Sequence, residues 1–215
     1  MIGSSNMGWY KESPLIEQPL YFKSDALQIE GLYAPTAGER GAVISHPHPQ
    51  MGGSMQNNVV EALVSAFYQN NFSTLRFNFR GVGQSEGIYD DGRGEQEDLI
   101  AAMSCLAGKG KKKVVLAGYS FGAWITVKIL KRFEDFSDVI LVSPPVDFLT
   151  FDWSGSEDKI GLIVCGDRDQ FCSPESLKTL VEKIHCRLEM VRGADHFYFM
   201  KENGMIDVID AYLKT

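Results

Sequence analysis

One short motif limits what this chain can fold into more than any other feature. Residues 118–122 read G-x-S-x-G, with Ser120 at the centre. Residues 113–117 are mostly apolar and typical of a buried strand, and an apolar, helix-favouring segment follows at 123–130. A serine on a sharp turn between strand and helix has a strained backbone and an exposed hydroxyl, and flanking glycines avoid collisions across the turn. The motif therefore predicts a nucleophilic serine.

A serine hydroxyl needs a base to take its proton, and the base needs an acid to orient it. Residues 160–165 read as a buried strand that leads into Asp167 and Asp169, and residues 187–191 read as a strand that leads into His196. Because the carboxyl ends of parallel strands meet at one edge of a sheet, we expect these side chains to lie near the serine. His196 is the predicted base.

Two aspartates compete for the role of the acid. Asp167 and Asp169 lie two residues apart, so they point in opposite directions if the chain is extended there. Asp169 lies deeper in the loop, where it can turn towards His196, and we predict that it is the acid. Asp167 is expected to bind local backbone as a turn residue, and Asp195 to be a loop or capping residue.

A tetrahedral oxyanion needs two N–H donors. Phe121, which follows the serine, is predicted to supply one. The loop after a strand at 41–45 is predicted to supply the other, and its prolines have no N–H to donate. Within this loop His48 is the predicted donor, and Met51 is the alternative.

The same loop contains an H-x-H pair, His46 and His48. Alternating prolines and the lack of a nearby carboxylate make the pair a poor metal site. We therefore predict no metal at this pair and a structural role for His46 under the loop. A mechanism based on serine, histidine and aspartate also needs no metal or organic cofactor, and we predict none.

Strand-like and helix-like segments alternate along the chain, which predicts a mostly parallel sheet with helices on both faces. After a ribbon at about 20–33, strands are expected at 41–45, 74–79, 113–117, 138–142, 160–165 and 187–191. Helices are expected near 57–69, 95–106, 123–130 and 205–213. One more helix is expected to begin after Ser173, its N-cap, with Pro174 at the first position.

The sequence resembles those of the α/β-hydrolase superfamily, and within it a group of small bacterial hydrolases. The resemblance rests on SHPHPQMGGSMQNNVV (45–60), TLRFNFRGVGQSEGIYDDGRGEQED (74–98), AGYSFGAW (117–124), GDRD (166–169) and GADHFY (193–198). It covers nearly the whole chain. It implies an α/β-hydrolase fold and a serine hydrolase of the esterase or thioesterase kind, without indicating a substrate.

Residues 143–159 are too few for the helical lid that many hydrolases of this fold insert between these strands, so we expect an open site without a sizeable lid. Phe148, Phe151 and Trp153 either line an acyl pocket or cover the sheet. The glycine-rich loop 81–87 carries no phosphate-binding fingerprint and is expected to approach the rim of the site.

Arg76 and Arg80 lie in an apolar strand, so at least one should pair with a buried carboxylate. Glu95 and Asp98 are the candidate partners.

Composition sets further bounds. The chain has 215 residues, 44% of them apolar, which favours one domain over residues 1–215. Its net charge of −7 argues against nucleic acid as a partner. Residues 1–15 hold no stretch suited to export, no run is long enough to span a membrane, and the four cysteines form no C-x-x-C pair. We expect a cytoplasmic monomer or homodimer that acts on a small-molecule acyl substrate.

These inferences predict hydrolysis of small carboxylic esters or thioesters by Ser120, His196 and Asp169. A peptidase or an acyltransferase on the same residues remains an alternative, because the pocket walls that select the acceptor are not readable from sequence. A non-catalytic small-ligand-binding protein with this fold is the alternative from another class.

Overall fold

An eight-stranded sheet runs through the computed structural model, which describes residues 15–215 apart from 133 and 135. The strands are β1 (Gln18–Ser24), β2 (Leu27–Ala34), β3 (Arg40–Ser45), β4 (Ser73–Phe77), β5 (Lys113–Tyr119), β6 (Asp138–Val142), β7 (Leu162–Gly166) and β8 (Arg187–Val191). Their order across the sheet is β1-β2-β4-β3-β5-β6-β7-β8. Strand β2 runs antiparallel to both of its neighbours, and all other pairs are parallel. The prediction of a mostly parallel sheet is confirmed.

Helices cover both faces of this sheet, as predicted. They are α1 (Asn58–Gln69), α2 (Gly94–Gly108), α3 (Phe121–Ile129), α4 (Pro174–Ile184) and α5 (Glu202–Leu213). Apolar residues of α1 and α5 form one core layer, and those of α2, α3 and α4 form the other. Helix α4 begins as expected, with the Ser173 hydroxyl accepting from the amide of Ser176.

None of these helices, within the residues described, is long and apolar enough to cross a membrane. The expectation that residues 1–15 carry no export signal lies outside the described residues, except for Leu15.

The two arginines of the β4 region are both paired. Arg80 bonds Asp98, whose side chain is fully buried, with Nη2 2.7 Å from Oδ1, so this predicted pair is confirmed. Arg76 binds Glu17 and Glu61 instead, at 2.5 and 3.1 Å. Glu17 lies far from Arg76 in sequence and Glu61 lies in the preceding helix α1, and a local pattern reveals neither contact.

Two expectations for the segment after β4 are wrong. The loop 81–87 packs against β2, where the amide of Glu86 donates to the carbonyl of Gln28 at 2.9 Å, and it lines no part of the cavity described below. Among the described residues Glu95 pairs with no arginine, because its carboxylate, in the first turn of α2, accepts the amide hydrogens of Asp90 and Gly92 in the preceding loop, at 2.9 and 2.8 Å.

Strand β4 also ends at Phe77, earlier than the predicted residue 79. The amide of Phe79 leaves the strand ladder because it donates to Nε2 of His46, 3.0 Å away. That bond draws the end of β4 towards the loop that follows β3.

Candidate active site

Ser120 lies on a sharp turn between β5 and α3. Its backbone has φ 54° and ψ −114°, a strained conformation for a residue with a side chain. A Cβ atom at Gly118 would lie 2.6 Å from the carbonyl oxygen of Gly122, and one at Gly122 would lie 2.6 Å from that of Ser45. Both flanking glycines are therefore required by close backbone contacts, as the motif predicted.

The structure brings Ser120, His196 and Asp169 together in one hydrogen-bonded chain. Nε2 of His196 lies 2.9 Å from Oγ of Ser120. Nδ1 of the same ring lies 2.9 Å from Oδ2 and 3.0 Å from Oδ1 of Asp169. All three residues are largely buried. This is the geometry in which a base can take a hydroxyl proton while an acid orients it.

The histidine is held by groups that the sequence did not single out. The hydroxyl of Tyr119 donates to the carbonyl oxygen of His196 at 2.8 Å, and burial raises the pKa of Tyr119, so it stays a donor. The ring of Phe171 stands edge-on to the imidazole, with centroids 4.7 Å apart. The only sequence signal for Tyr119 is its place beside Ser120.

The three aspartates of these loops have separate tasks. Oδ1 of Asp169 accepts from the amide of Phe171 at 2.9 Å, besides its bonds to His196. Asp167 binds backbone as predicted, although the amide that it accepts belongs to Gly193 of the neighbouring loop, at 2.7 Å. Asp195 accepts amide hydrogens within its own loop and does not reach the imidazole.

Two backbone amides beside Ser120 are available for an oxyanion. Across the described chain, no residue accepts a hydrogen bond from the amide of Phe121 or of His48. Both residues line the cavity in front of the serine, and their rings pack with centroids 4.8 Å apart. The amide of Met51, the alternative donor, is already used, because it donates to the carbonyl of His48 at 3.0 Å.

The H-x-H pair is engaged by protein groups. His46 is fully buried, its Nδ1 lies 2.6 Å from the carbonyl oxygen of Pro47, and its Nε2 accepts from Phe79. Burial lowers the pKa of His46 to about 4, which keeps the ring neutral with its proton on Nδ1. Burial also lowers the pKa of His48, whose Nδ1 accepts from the amide of Gln50 at 3.2 Å. Within the described residues no cluster suited to a metal ion occurs.

A cavity of about 350 Å³ opens in front of Ser120. Its lining consists of Pro47, His48, Met51, Gly52, Gly53, Asn57, Tyr119, Ser120, Phe121, Pro145, Phe148, Leu149, Phe171, His196 and Phe197. These residues include aromatic and aliphatic side chains but no aspartate, glutamate, lysine or arginine. A volume and lining of this kind suit a small, uncharged, apolar group.

The segment between β6 and β7 forms one wall of this cavity. Residues 143–161 form turns without a helix or strand, so no lid helix covers the described site. Phe148 lines the cavity, whereas Phe151 and Trp153 stack on each other outside it, with centroids 4.6 Å apart. Phe148 thus realises the first alternative, a pocket wall, whereas Phe151 and Trp153 are partly buried and pack against the apolar core.

The fold and the site together define a class of protein. A serine on a strand–turn–helix elbow, an aspartate and a histidine in later loops, and a common sheet edge are the features of an α/β-hydrolase.

Comparisons with known proteins agree with this class. A family model described as serine aminopeptidase, S33, matches residues 51–150, a span that includes Ser120 and ends before Asp169. An uncharacterised protein of Rickettsia prowazekii is 33% identical over 210 residues, which cover 91% of this chain and 88% of that protein.

Two solved structures are similar over almost their whole length. An α/β serine hydrolase homologue from Coxiella burnetii is 32% identical, with a TM-score of 0.83, and the match covers 93% of this chain and 99% of that one. An α/β serine hydrolase without a lid from Xanthomonas campestris is 25% identical, with a TM-score of 0.82 and coverage of 94% and 97%. The chain belongs to the α/β serine hydrolase superfamily.

Proposed function

We propose that this protein hydrolyses small, uncharged carboxylic esters and thioesters through an acyl-enzyme. One observation carries the proposal: the hydrogen-bonded chain of Ser120, His196 and Asp169 opens on an apolar cavity whose described lining holds no aspartate, glutamate, lysine or arginine. No metal or organic cofactor is part of the reaction.

In the first half of the reaction Oγ of Ser120 attacks the acyl carbon while Nε2 of His196 takes the hydroxyl proton. Asp169 keeps the other imidazole proton on Nδ1 and stabilises the imidazolium. The electron pair of the carbonyl moves to its oxygen, which the amides of Phe121 and His48 stabilise. Collapse expels the alcohol or thiol, which leaves with the proton from His196.

Water completes the reaction by the same route. Nε2 of His196 takes a proton from water as it attacks the acyl carbon, and then returns that proton to Oγ of Ser120. The open edge of the sheet admits water without a lid movement. An acyl acceptor other than water would make the same residues an acyltransferase.

The description of the matching family model makes an aminopeptidase the second candidate. Such an enzyme must hold a substrate ammonium close to the scissile carbonyl, and a buried ammonium requires a partner of opposite charge. The residues that line the described cavity offer no carboxylate, and Asp169 behind them is engaged by His196. This favours uncharged acyl groups.

The proposed setting is the cytoplasm, with a small-molecule substrate. All four cysteines are free, and two of them are buried in the core. Free buried thiols of this kind suit a reducing compartment.

The test combines labelling with a substrate comparison. A fluorophosphonate probe should label the wild-type protein at Ser120 and leave Ser120→Ala unlabelled. Butyryl p-nitrophenyl ester, a butyryl thioester and alanyl p-nitroanilide are then compared at one pH. We expect the ester and the thioester to be cleaved faster than the anilide. Absence of labelling, or faster cleavage of the anilide, would overturn the proposal.

A further inference from the structure

A buried hydrogen-bonded chain continues behind Asp169, on the side away from His196. The thiol of Cys165, near the end of β7, donates towards Oδ2 of Asp169 with Sγ 3.7 Å from the oxygen. Oδ1 is bound separately, by the amide of Phe171. The thiol is thus the one side-chain donor on Oδ2, among the described residues, besides the imidazole itself.

Two hydroxyl groups extend this chain. The Ser143 hydroxyl lies 3.9 Å from Sγ of Cys165, within the range of a hydrogen bond to sulfur, and 2.9 Å from the hydroxyl of Tyr198. Cys165, Ser143 and Tyr198 are completely buried. They come from β7, from the turn after β6 and from the loop that carries His196. The chain therefore ties three segments together behind the acid.

The hydroxyl and thiol hydrogens of this chain can all be directed towards Asp169. Burial raises the pKa of Tyr198 well above its usual value, so its hydroxyl stays protonated. It can donate to Ser143 at 2.9 Å, and the carbonyl oxygen of Val164, 3.5 Å away, is the competing acceptor. Ser143 can then donate to Sγ of Cys165, and the thiol hydrogen is left for Asp169. The carbonyl of Cys172, 3.3 Å from Sγ, is the competing acceptor. A thiol hydrogen directed at a carboxylate makes the stronger, charge-assisted bond.

The backbone is strained at the two residues that supply hydroxyl groups to this chain. Ser143 has φ 44° and Tyr198 has φ 55°, in the left-handed region that residues with a side chain rarely adopt. Such conformations persist where the surrounding structure holds them, and they cluster at functional sites. Here they place the two hydroxyls in contact with each other.

We propose that Cys165, Ser143 and Tyr198 are positioning residues for Asp169. The proposal rests on the proposed function, because it assigns these residues to the same reaction. Their hydrogen bonds hold the carboxylate in line with Nδ1 of His196 and offset part of its negative charge. An Asp169 that lacks the thiol donor would hold a protonated imidazole more tightly, and the base would then become available only at higher pH.

The other titratable groups around Asp169 and His196 do not change their charge near neutral pH, so they do not affect the pH dependence of labelling. The pKa of Tyr119 is raised by burial, and that of Cys172 is raised by its contact with the Cys165 thiol and by burial, so both stay neutral. Hydrogen bonds from Ser176 and the Ser173 amide lower the pKa of Asp147, which stays ionised. The carboxylate of Asp195 is held by amides of its own loop.

The experiment measures the rate of fluorophosphonate labelling against pH. Cys165→Ala should move the pH of half-maximal labelling upward by about half a unit and lower the maximal rate about tenfold. Cys165→Ser keeps a donor and should return both values towards wild type. Tyr198→Phe, which removes only one oxygen, should give a smaller shift in the same direction. Cys186→Ala removes a thiol far from Asp169 and should change neither value.

Several results would overturn the proposal. One is a Cys165→Ala protein whose labelling is half-maximal at the same pH as in wild type. Another is a Cys165→Ser protein with the same shifted pH and lowered maximal rate as Cys165→Ala. If Cys165→Ala does not fold, an unshifted midpoint in Tyr198→Phe counts against the proposal in the same way. Failure of the proposed function gives a different result: either the wild-type protein is not labelled, or it cleaves the anilide faster than the esters, and neither outcome depends on the Cys165 and Tyr198 variants.

Discussion

The carboxylate of Asp167 crosses from the loop after β7 to accept the amide hydrogen of Gly193 in the loop after β8, at 2.7 Å. Beside it the amide of Arg168 donates to the carbonyl of Ala194 at 2.9 Å. These two bonds join the loop of Asp169 to the loop of His196. The two residues of the proposed acid–base pair are therefore held at a fixed separation before any substrate arrives.

This arrangement predicts different results for the same change at two neighbouring aspartates. Asp169→Asn should lower turnover by about four orders of magnitude, because an amide no longer favours the imidazole tautomer with its proton on Nδ1. Asp167→Asn is the matched control, and it should keep most of the activity, since the Asn side-chain oxygen can still accept from Gly193. Steady-state ester hydrolysis measures both variants. The reverse order would assign the acid to Asp167.

Loss of the proposed nucleophile or base should be equally severe. Ser120→Ala and His196→Ala should each lower turnover about a million-fold, and the double variant should lose little more, because the groups act as a unit. Active-site titration and ester hydrolysis check this. A Ser120→Ala protein that keeps a tenth of wild-type activity would contradict the assignment of Ser120.

The turn around Ser120 predicts a contrast between two glycines. Gly122→Ala should lower both stability and activity, because its Cβ would lie 2.6 Å from the carbonyl oxygen of Ser45. At Gly108, the last residue of α2, a Cβ meets no atom within 4 Å. Gly108→Ala should raise the free energy of unfolding by about 0.5 kcal/mol through reduced chain entropy. Urea unfolding measures both effects, and equal outcomes would contradict the turn geometry.

Cavity size predicts the range of acyl groups. With about 350 Å³ and no lid helix in the described chain, kcat/KM for p-nitrophenyl esters should peak at short acyl chains, without a rise above the critical micelle concentration. Phe148→Ala removes one wall and should shift the optimum to longer chains. Trp153→Ala, outside the cavity, should leave it unchanged. An optimum for long chains in the wild-type protein would contradict this reading.

The buried His46 predicts a pH dependence of stability. Its pKa is about 4 in the folded protein against 6.5 as the reference value, so only the unfolded chain takes up this proton between those values. The neutral His46 therefore makes its full contribution to the free energy of unfolding above about pH 6.5. This contribution falls as the pH decreases towards 4, and at lower pH the free energy of unfolding is smaller by about 3 kcal/mol.

Urea unfolding at pH 7.5 and at pH 4.5 measures this effect. His46→Gln should lose less stability than wild type between the two pH values. His185→Gln, a change at an exposed histidine, is the control and should follow the wild-type curve. Equal losses for all three proteins would show that His46 is not neutral in the folded state.

Local patterns were enough to predict the alternation of strands and helices and the positions of Ser120, Asp169 and His196, because each feature depends on a few consecutive residues. The partners of Arg76 were not predictable in this way, since Glu17 lies in a different part of the chain and meets Arg76 only after the sheet has formed. The same holds for the contact between Cys165 and Asp169, which depends on how the loop after β7 turns back.

Residues 145–149 form a cavity wall that is attached to the rest of the site chiefly through Asp147. Its amide donates to the carbonyl of Phe171 at 3.1 Å, and its carboxylate accepts from the Ser173 amide and the Ser176 hydroxyl at 2.6 Å each. The side chains that face the cavity from this segment, Pro145, Phe148 and Leu149, make no hydrogen bond to Ser120, His196 or Asp169. Evolution or protein engineering can therefore exchange Pro145 and Leu149 to admit a new acyl group while the reacting atoms keep their places. Phe148 is more constrained, because its ring packs edge-on against Phe171, with centroids 5.6 Å apart, and Phe171 in turn packs against His196.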